Sequence, residues 1–186
     1  MKKRTISKSA LFAWCSFDWA NSAFPTVITT FVFAAYFTKG VAADVASGTA
    51  SWGYAMSISA LMVAILSPVL GAIADHGGRR KPWLGVFTLI CVVASAGLWF
   101  VEPNASFALL ALVLVVIANT AFETGMVFYN AMLPEIAPPG KIGRLSGWGW
   151  GFGYMGGLGC LALVLVGFVQ ADTPWFGLSK DMAEHL

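Results

Sequence analysis

Charged residues are scarce. Asp, Glu, Lys and Arg make up 11% of the 186 residues against 58% hydrophobic, and mean hydropathy is +0.76. Soluble domains carry about 25% charged and about 45–50% apolar residues. A soluble fold of this length could not bury such an excess, so the surplus must face lipid. Histidine occurs only as His76 and His185, which excludes a histidine-based zinc cluster. The three cysteines, Cys15, Cys91 and Cys160, each lie in a long apolar run with no CxxC spacing, and read as small buried hydrophobes. No GxxxxGK[ST] loop is present, which disfavours an ATP-driven pump. With no histidine in an apolar run and no Ser–Lys pair at membrane depth, the chain does not read as an enzyme. A net charge of +2 gives no basis for nucleic-acid binding, and nothing implies a cofactor or a metal.

What is present is long apolar runs. A membrane-spanning helix takes about 20 residues, and five stretches reach that scale, near 11–37, 51–73, 83–100, 107–129 and 145–169. The runs are far longer than the ~10 residues of a barrel strand and do not alternate. The fold class expected is all-α, a polytopic transmembrane helical bundle. The start, Met1-Lys-Lys-Arg-Thr-Ile-Ser-Lys8, resembles the basic region of a signal peptide, but the apolar stretch after it meets Asp18 and continues, so it reads as a retained first span.

Basic residues set the orientation. With the N-terminus in the cytoplasm, that side holds Lys2, Lys3, Arg4, Lys8, Arg79, Arg80, Lys81, Lys141 and Arg144, and the opposite side only Lys39 and Lys180.

The runs differ in polarity. The third is nearly featureless and can face lipid. The first carries Asp18, Asn21 and Ser22 at i, i+3, i+4, hence on one helix face. The fourth carries Asn119 and Glu123 at i, i+4, with Asn130 further along the same stripe. An acid near mid-helix costs about 2.5–3.5 kcal/mol to insert, so these faces are expected to look into a cavity or onto a partner. Both acids sit roughly 9–10 Å in from the cytoplasmic ends of their runs, and could share one polar pathway for a proton or a cationic group. Acids satisfied by nearby Asn and Ser groups are the alternative.

The fifth run places Gly149, Gly153 and Gly157 at i, i+4, i+8, a smooth face that lets a second helix approach closely. That face fits tight packing within one bundle or a sliding contact between two. Gly151-Phe-Gly153-Tyr-Met-Gly156 matches a dinucleotide fingerprint literally, with Asp172 beyond it, but neither a preceding strand nor a soluble βαβ unit surrounds it.

Between the second and third runs the chain reads Gly71-Ala-Ile-Ala-Asp75-His-Gly-Gly78-Arg79-Arg80-Lys81-Pro82. Anchoring on the cytoplasmic side explains the cations but not Gly71, Asp75 and Gly78 at fixed offsets. The loop resembles the signature G-x-x-x-D-x-x-G-R-[RK]-[RK] of the major facilitator superfamily, with His76 where many members carry Arg or Lys. The resemblance implies that Asp75 and Arg79, with Arg80, clasp helix ends in one state of a transport cycle. Ser16-Phe-Asp-Trp-Ala-Asn-Ser-Ala-Phe24, and Tyr129-Asn-Ala-Met-Leu-Pro-Glu-Ile-Ala-Pro-Pro139 leading into Gly143-Arg-Leu-Ser-Gly147, resemble the vacuole-effluxer branch of that superfamily, whose eukaryotic members export amino acids.

The resemblance implies a secondary transporter of a small solute working by alternating access, in a bacterial inner membrane, with proton coupling and amino-acid efflux among its expectations. A non-transporting membrane scaffold or receptor is the rival reading. The superfamily half has six spans and the carrier twelve. The chain therefore reads as an incomplete N-terminal bundle whose partner is the C-terminal half, with its tail, 170–186, as an outer loop.

Overall fold

The computed structural model describes residues 8–77, 80–138, 140–171 and 175, the side chains of 74–77 excepted. Five helices are long and apolar enough to cross a membrane: α1 (Lys8–Val41), α2 (Val45–Ile73), α3 (Arg80–Phe100), α4 (Ala105–Ile136) and α5 (Ile142–Val169). Among the described residues there is no strand. The basic N-terminus, residues 1–7, and most of the tail lie outside the described residues.

The helices run past the expected ends for local reasons. α2 starts at Val45 because Asp44 caps it: Oδ1 accepts from the amides of Ala46 and Ser47, both at 3.0 Å, and Oδ2 accepts from the Ser47 hydroxyl at 2.6 Å. The same helix continues to Gly77. α4 runs about two turns past Tyr129 to Ile136 and carries Pro134 within it.

α1 is not uniform. It is α-helical over Lys8–Asn21, widens to π geometry over Pro25–Phe31, and widens again over Phe37–Val41. Pro25 has no N–H, so the carbonyl one turn earlier loses its partner and the ladder shifts register. Hydroxyls take up part of the disturbed backbone: Thr26 donates to the carbonyl of Ser22 (2.8 Å) and Thr29 to that of Pro25 (3.0 Å).

α4 is the hub. Against α3 it presents Ala118, Ala121 and Gly125, which admit Cys91, Ala94 and Phe87, while Phe128 forms a three-ring cluster with Trp83 and Phe87. At the other end of the bundle, Phe33, Phe37 and Val41 of α1 pack with Leu98, Val101, Ala111 and Val115, and the Tyr36 hydroxyl donates to the Val101 carbonyl (2.8 Å). The outward faces are apolar and open: Tyr54, Leu61 and Ile65 on α2, Leu89 and Val93 on α3, Met155 and Leu158 on α5. Water would not tolerate such a surface, whereas lipid does.

Candidate functional site: two acids on different faces

Trp14 fixes how α1 meets α4. Its ring stacks on Tyr129 with centroids 4.4 Å apart and planes 6° apart. Trp14 Nε1 donates to the Tyr129 carbonyl (3.2 Å), and the Tyr129 hydroxyl donates back to the Trp14 carbonyl (3.1 Å). Each polar tip thus finds an acceptor while both rings stay out of water.

The three polar residues of α1 part company above this pin. Asp18 is buried and faces α5, where a Cβ on Gly153 would come 2.6 Å from Asp18 Oδ2 and 2.9 Å from Ser22 Oγ. Asn21 instead turns to α4, its Nδ2 donating to Met126 Sδ at 3.3 Å. The glycine face of α5 is filled by α1: Gly149 lies under the Trp14 ring, Gly156 against the Trp19 carbonyl, and Gly157 beside Thr26 Oγ1. Gly156 belongs to this contact although it is outside the i, i+4, i+8 series.

Glu123 is exposed on α4, as is Asn130, with Asn119 half-buried one turn before Glu123. Among the described residues no ion-pair partner reaches either Asp18 or Glu123. Among the described residues no hydrogen bond or ion pair joins the two acids, Asp18 facing α5 and Glu123 lying open on α4. Glu123 stands about thirteen residues, or about 20 Å, from Ile136, because α4 extends further than expected.

Asn119 is tied to α2. Its Nδ2 donates to Ser59 Oγ (2.9 Å), which lies 3.0 Å from Thr120 Oγ1, and Thr120 Oγ1 is 4.0 Å from Met62 Sδ. Ser59 is fully buried and Thr120 nearly so.

Toward the end of α2 that leads into α3, Gly71 has open space around it. Gly78, Arg79 and the side chain of Asp75 lie outside the described residues. Arg80 is described: its Nη1 donates to Glu135 Oε1 (2.5 Å) and to the Ala131 carbonyl (2.9 Å), binding the start of α3 to the end of α4. A cation there also complements the negative end of the α4 dipole.

Residues 39–142, more than half of the chain, match the family model described as "Vacuole effluxer Atg22 like". The chain belongs to the vacuole effluxer family. An uncharacterized MFS-type transporter of Bacillus subtilis, YxiO, is 35% identical over 178 residues, covering 93% of this chain and 40% of that protein. Autophagy-related protein 22 of Coccidioides immitis is 41% identical over 89 residues, covering 47% of this chain and 14% of that protein. Autophagy-related protein 22-1 of Penicillium rubens is 37% identical over 89 residues. The chain therefore spans well under half the length of these relatives. No solved structure matches it significantly.

The region matched to the vacuole effluxer family holds Asn119, Glu123, Arg80 and Glu135 but excludes Asp18 and the α5 glycines. Sequence reasoning did not single out Glu135, Ser59 or Thr120. Glu135 lies inside a stretch that carried the family resemblance, next to a proline at a helix end, and that was its available signal. Ser59 and Thr120 have none: small hydroxyls are frequent in membrane helices, and only the crossing of α2 and α4 brings these two together.

Proposed function

We propose that this bundle is part of a secondary carrier that moves a small solute across a membrane by alternating access. The observation that carries the reading is Glu123, a carboxyl exposed on α4 about 20 Å from the helix end, on a stripe shared with Asn119 and Asn130. An acid facing lipid at that depth would be costly, so the stripe is assigned to a polar path. The names of the Bacillus and fungal relatives support transport as the activity.

In this reading Glu123, Asn119 and Asn130 line the path. Asp18 and Asn21 are a second polar group on α1, with Asp18 seated at the α1–α5 seam. A proton or a cationic group on the solute is the natural counterpart of such acids. The loop from Gly71 through Asp75, Gly78, Arg79 and Arg80 acts as a cytoplasmic clasp, and the alternating-access cycle is completed by a second bundle packed against this one. The nine-to-two asymmetry of basic residues supports a cytoplasmic N-terminus, and a bacterial inner membrane is the assigned location. Amino acids are the first solutes to test, on the strength of the family resemblance.

The test is transport by the full-length carrier in proteoliposomes, with a panel of amino acids and other small solutes, with and without a proton gradient. Glu123→Gln and Asp18→Asn are expected to insert normally and to lose gradient-driven transport. Wild-type rates and pH dependence in both variants would remove the assignment of these acids. No transport of any solute under any gradient would favour a scaffold or receptor.

A further inference from the structure

The Ser59–Asn119–Thr120 cluster has a direction. Met62 Sδ can only accept, so the Thr120 hydroxyl proton points to it. The Thr120 oxygen then receives the Ser59 proton across 3.0 Å, and the Ser59 oxygen is left to accept from Asn119 Nδ2 at 2.9 Å. The three bonds along Asn119, Ser59, Thr120 and Met62 then run in one sense. A reversed Ser59–Thr120 bond would leave the sulfur without the Thr120 proton.

This direction has a consequence for the open face of α4. With its N–H₂ group drawn toward α2, Asn119 has its Oδ1 left over, and Glu123 stands one turn on, where side chains at i and i+4 are neighbours. Among the described residues no hydrogen bond reaches Asn119 Oδ1. An acceptor beside a carboxyl takes the carboxyl O–H, and does so only when the amide is held this way round.

We propose that Ser59 is a positioning residue: buried between α2 and α4, it holds the Asn119 amide so that Oδ1 accepts the Glu123 O–H. Thr120 holds Ser59 in turn. The inference deepens the carrier reading, on which its functional meaning rests, and adds two residues of the α2–α4 interface to the site.

The test uses dicyclohexylcarbodiimide on the full-length carrier in lipid nanodiscs. The reagent modifies a carboxyl that carries its proton, the O–H adding across one C=N bond with nothing released. The adduct on the Glu123 peptide is followed against time by mass spectrometry, with Glu123→Gln as the blank. Ser59→Ala and Asn119→Ala are each expected to slow labelling at least fivefold. The double variant is expected to be no slower than Asn119→Ala, because Ser59 acts through Asn119. Ser59→Thr, which keeps the hydroxyl, is expected to stay within twofold of wild type. Thr120→Val, which keeps the shape and removes the next acceptor, is expected to slow labelling as well, and it serves if Ser59→Ala fails to fold.

Wild-type labelling in both Ser59→Ala and Thr120→Val would overturn the proposal. So would effects of Ser59→Ala and Asn119→Ala that multiply in the double variant, or a fall in thermal stability with no change in labelling. Solute transport is measured on the same samples. Relay-dependent labelling without transport of any solute would retire the carrier reading and leave the positioning role standing. Transport with relay-independent labelling would do the reverse.

Discussion

Arg80 Nη1 reaches from the start of α3 to Glu135 Oε1 at the end of α4, 2.5 Å away, and shares the same nitrogen with the Ala131 carbonyl at 2.9 Å. Two stretches that the sequence presents separately, the loop entering α3 and the Leu133-Pro134-Glu135 end of α4, are here one contact. The Arg80 side chain is 22% exposed and that of Glu135 54%. A pair so open to solvent contributes only about 0.2–1 kcal/mol to stability. Glu135→Ala is therefore expected to leave the melting temperature nearly unchanged. In the proposed carrier its effect should fall on turnover and on the labelling of cysteines introduced near this contact. The Arg80→Glu, Glu135→Arg exchange should restore both in part, and an exchange no better than either single change would show that the pair is incidental.

The Trp14–Tyr129 pin should behave in the opposite way, mattering for stability. Tyr129→Phe removes one hydrogen bond from a site both rings still fill, and is expected to cost about 1 kcal/mol. Trp14→Ala opens a cavity beneath Gly149 and beside Tyr129, and should cost about 3–5 kcal/mol. Unfolding of the full-length protein in mixed detergent micelles measures both. Equal losses would mean that the stack contributes nothing beyond the hydroxyl.

The glycines of α5 divide sharply. A methyl group at Gly156 would strike the Trp19 carbonyl, which is backbone and cannot swing aside, so Gly156→Ala should cost about 1–3 kcal/mol or splay α1 from α5. Gly153→Ala meets Asp18 Oδ2 and Ser22 Oγ, side-chain atoms with some freedom, and should cost less. Gly151 and Gly159 have nothing within 4 Å, and alanine at either is expected to be neutral or stabilising. Thermal melts of the four single variants give the ranking, and a uniform loss would contradict the packing described.

Asp44 makes the start of α2 sensitive to pH. The Ser47 hydroxyl and then the Ser47 and Ala46 amides hold its carboxyl below the usual aspartate range. Because the value is lowered in the folded state, the capping contribution is fully present above the ordinary aspartate range and is lost as pH falls through the lowered value. Amide exchange at Ala46 and Ser47 should be protected at neutral pH and lose protection severalfold on acidification. Asp44→Asn should keep its protection across that range, and Asp44→Ala should lack it throughout.

Much of this protein follows from composition alone. Runs of about 20 apolar residues with few charges have one stable solution in lipid, a helix that satisfies its own backbone, and five helices of that kind are present. Gly71, Asp75 and the cations after Gly78 carried the family resemblance because their offsets are local. Helix ends were less legible: the Asp44 cap and the continuation of α4 past Pro134 depend on hydrogen bonds and packing at single residues.

Which way a polar face turns was decided only by tertiary structure. Asp18 and Asn21 are one turn apart and share a helical stripe, yet Asp18 faces Gly153 of α5 and Asn21 faces Met126 of α4. A stripe has width, and a helix wedged between two neighbours divides it between them. The sequence determined that acids and amides stand within membrane helices and that α5 offers a glycine surface. The crossing of the helices decided that α1 fills that surface, that Glu123 remains open, and that Ser59 meets Asn119, since periodicity along one chain carries no information about which helix lies alongside.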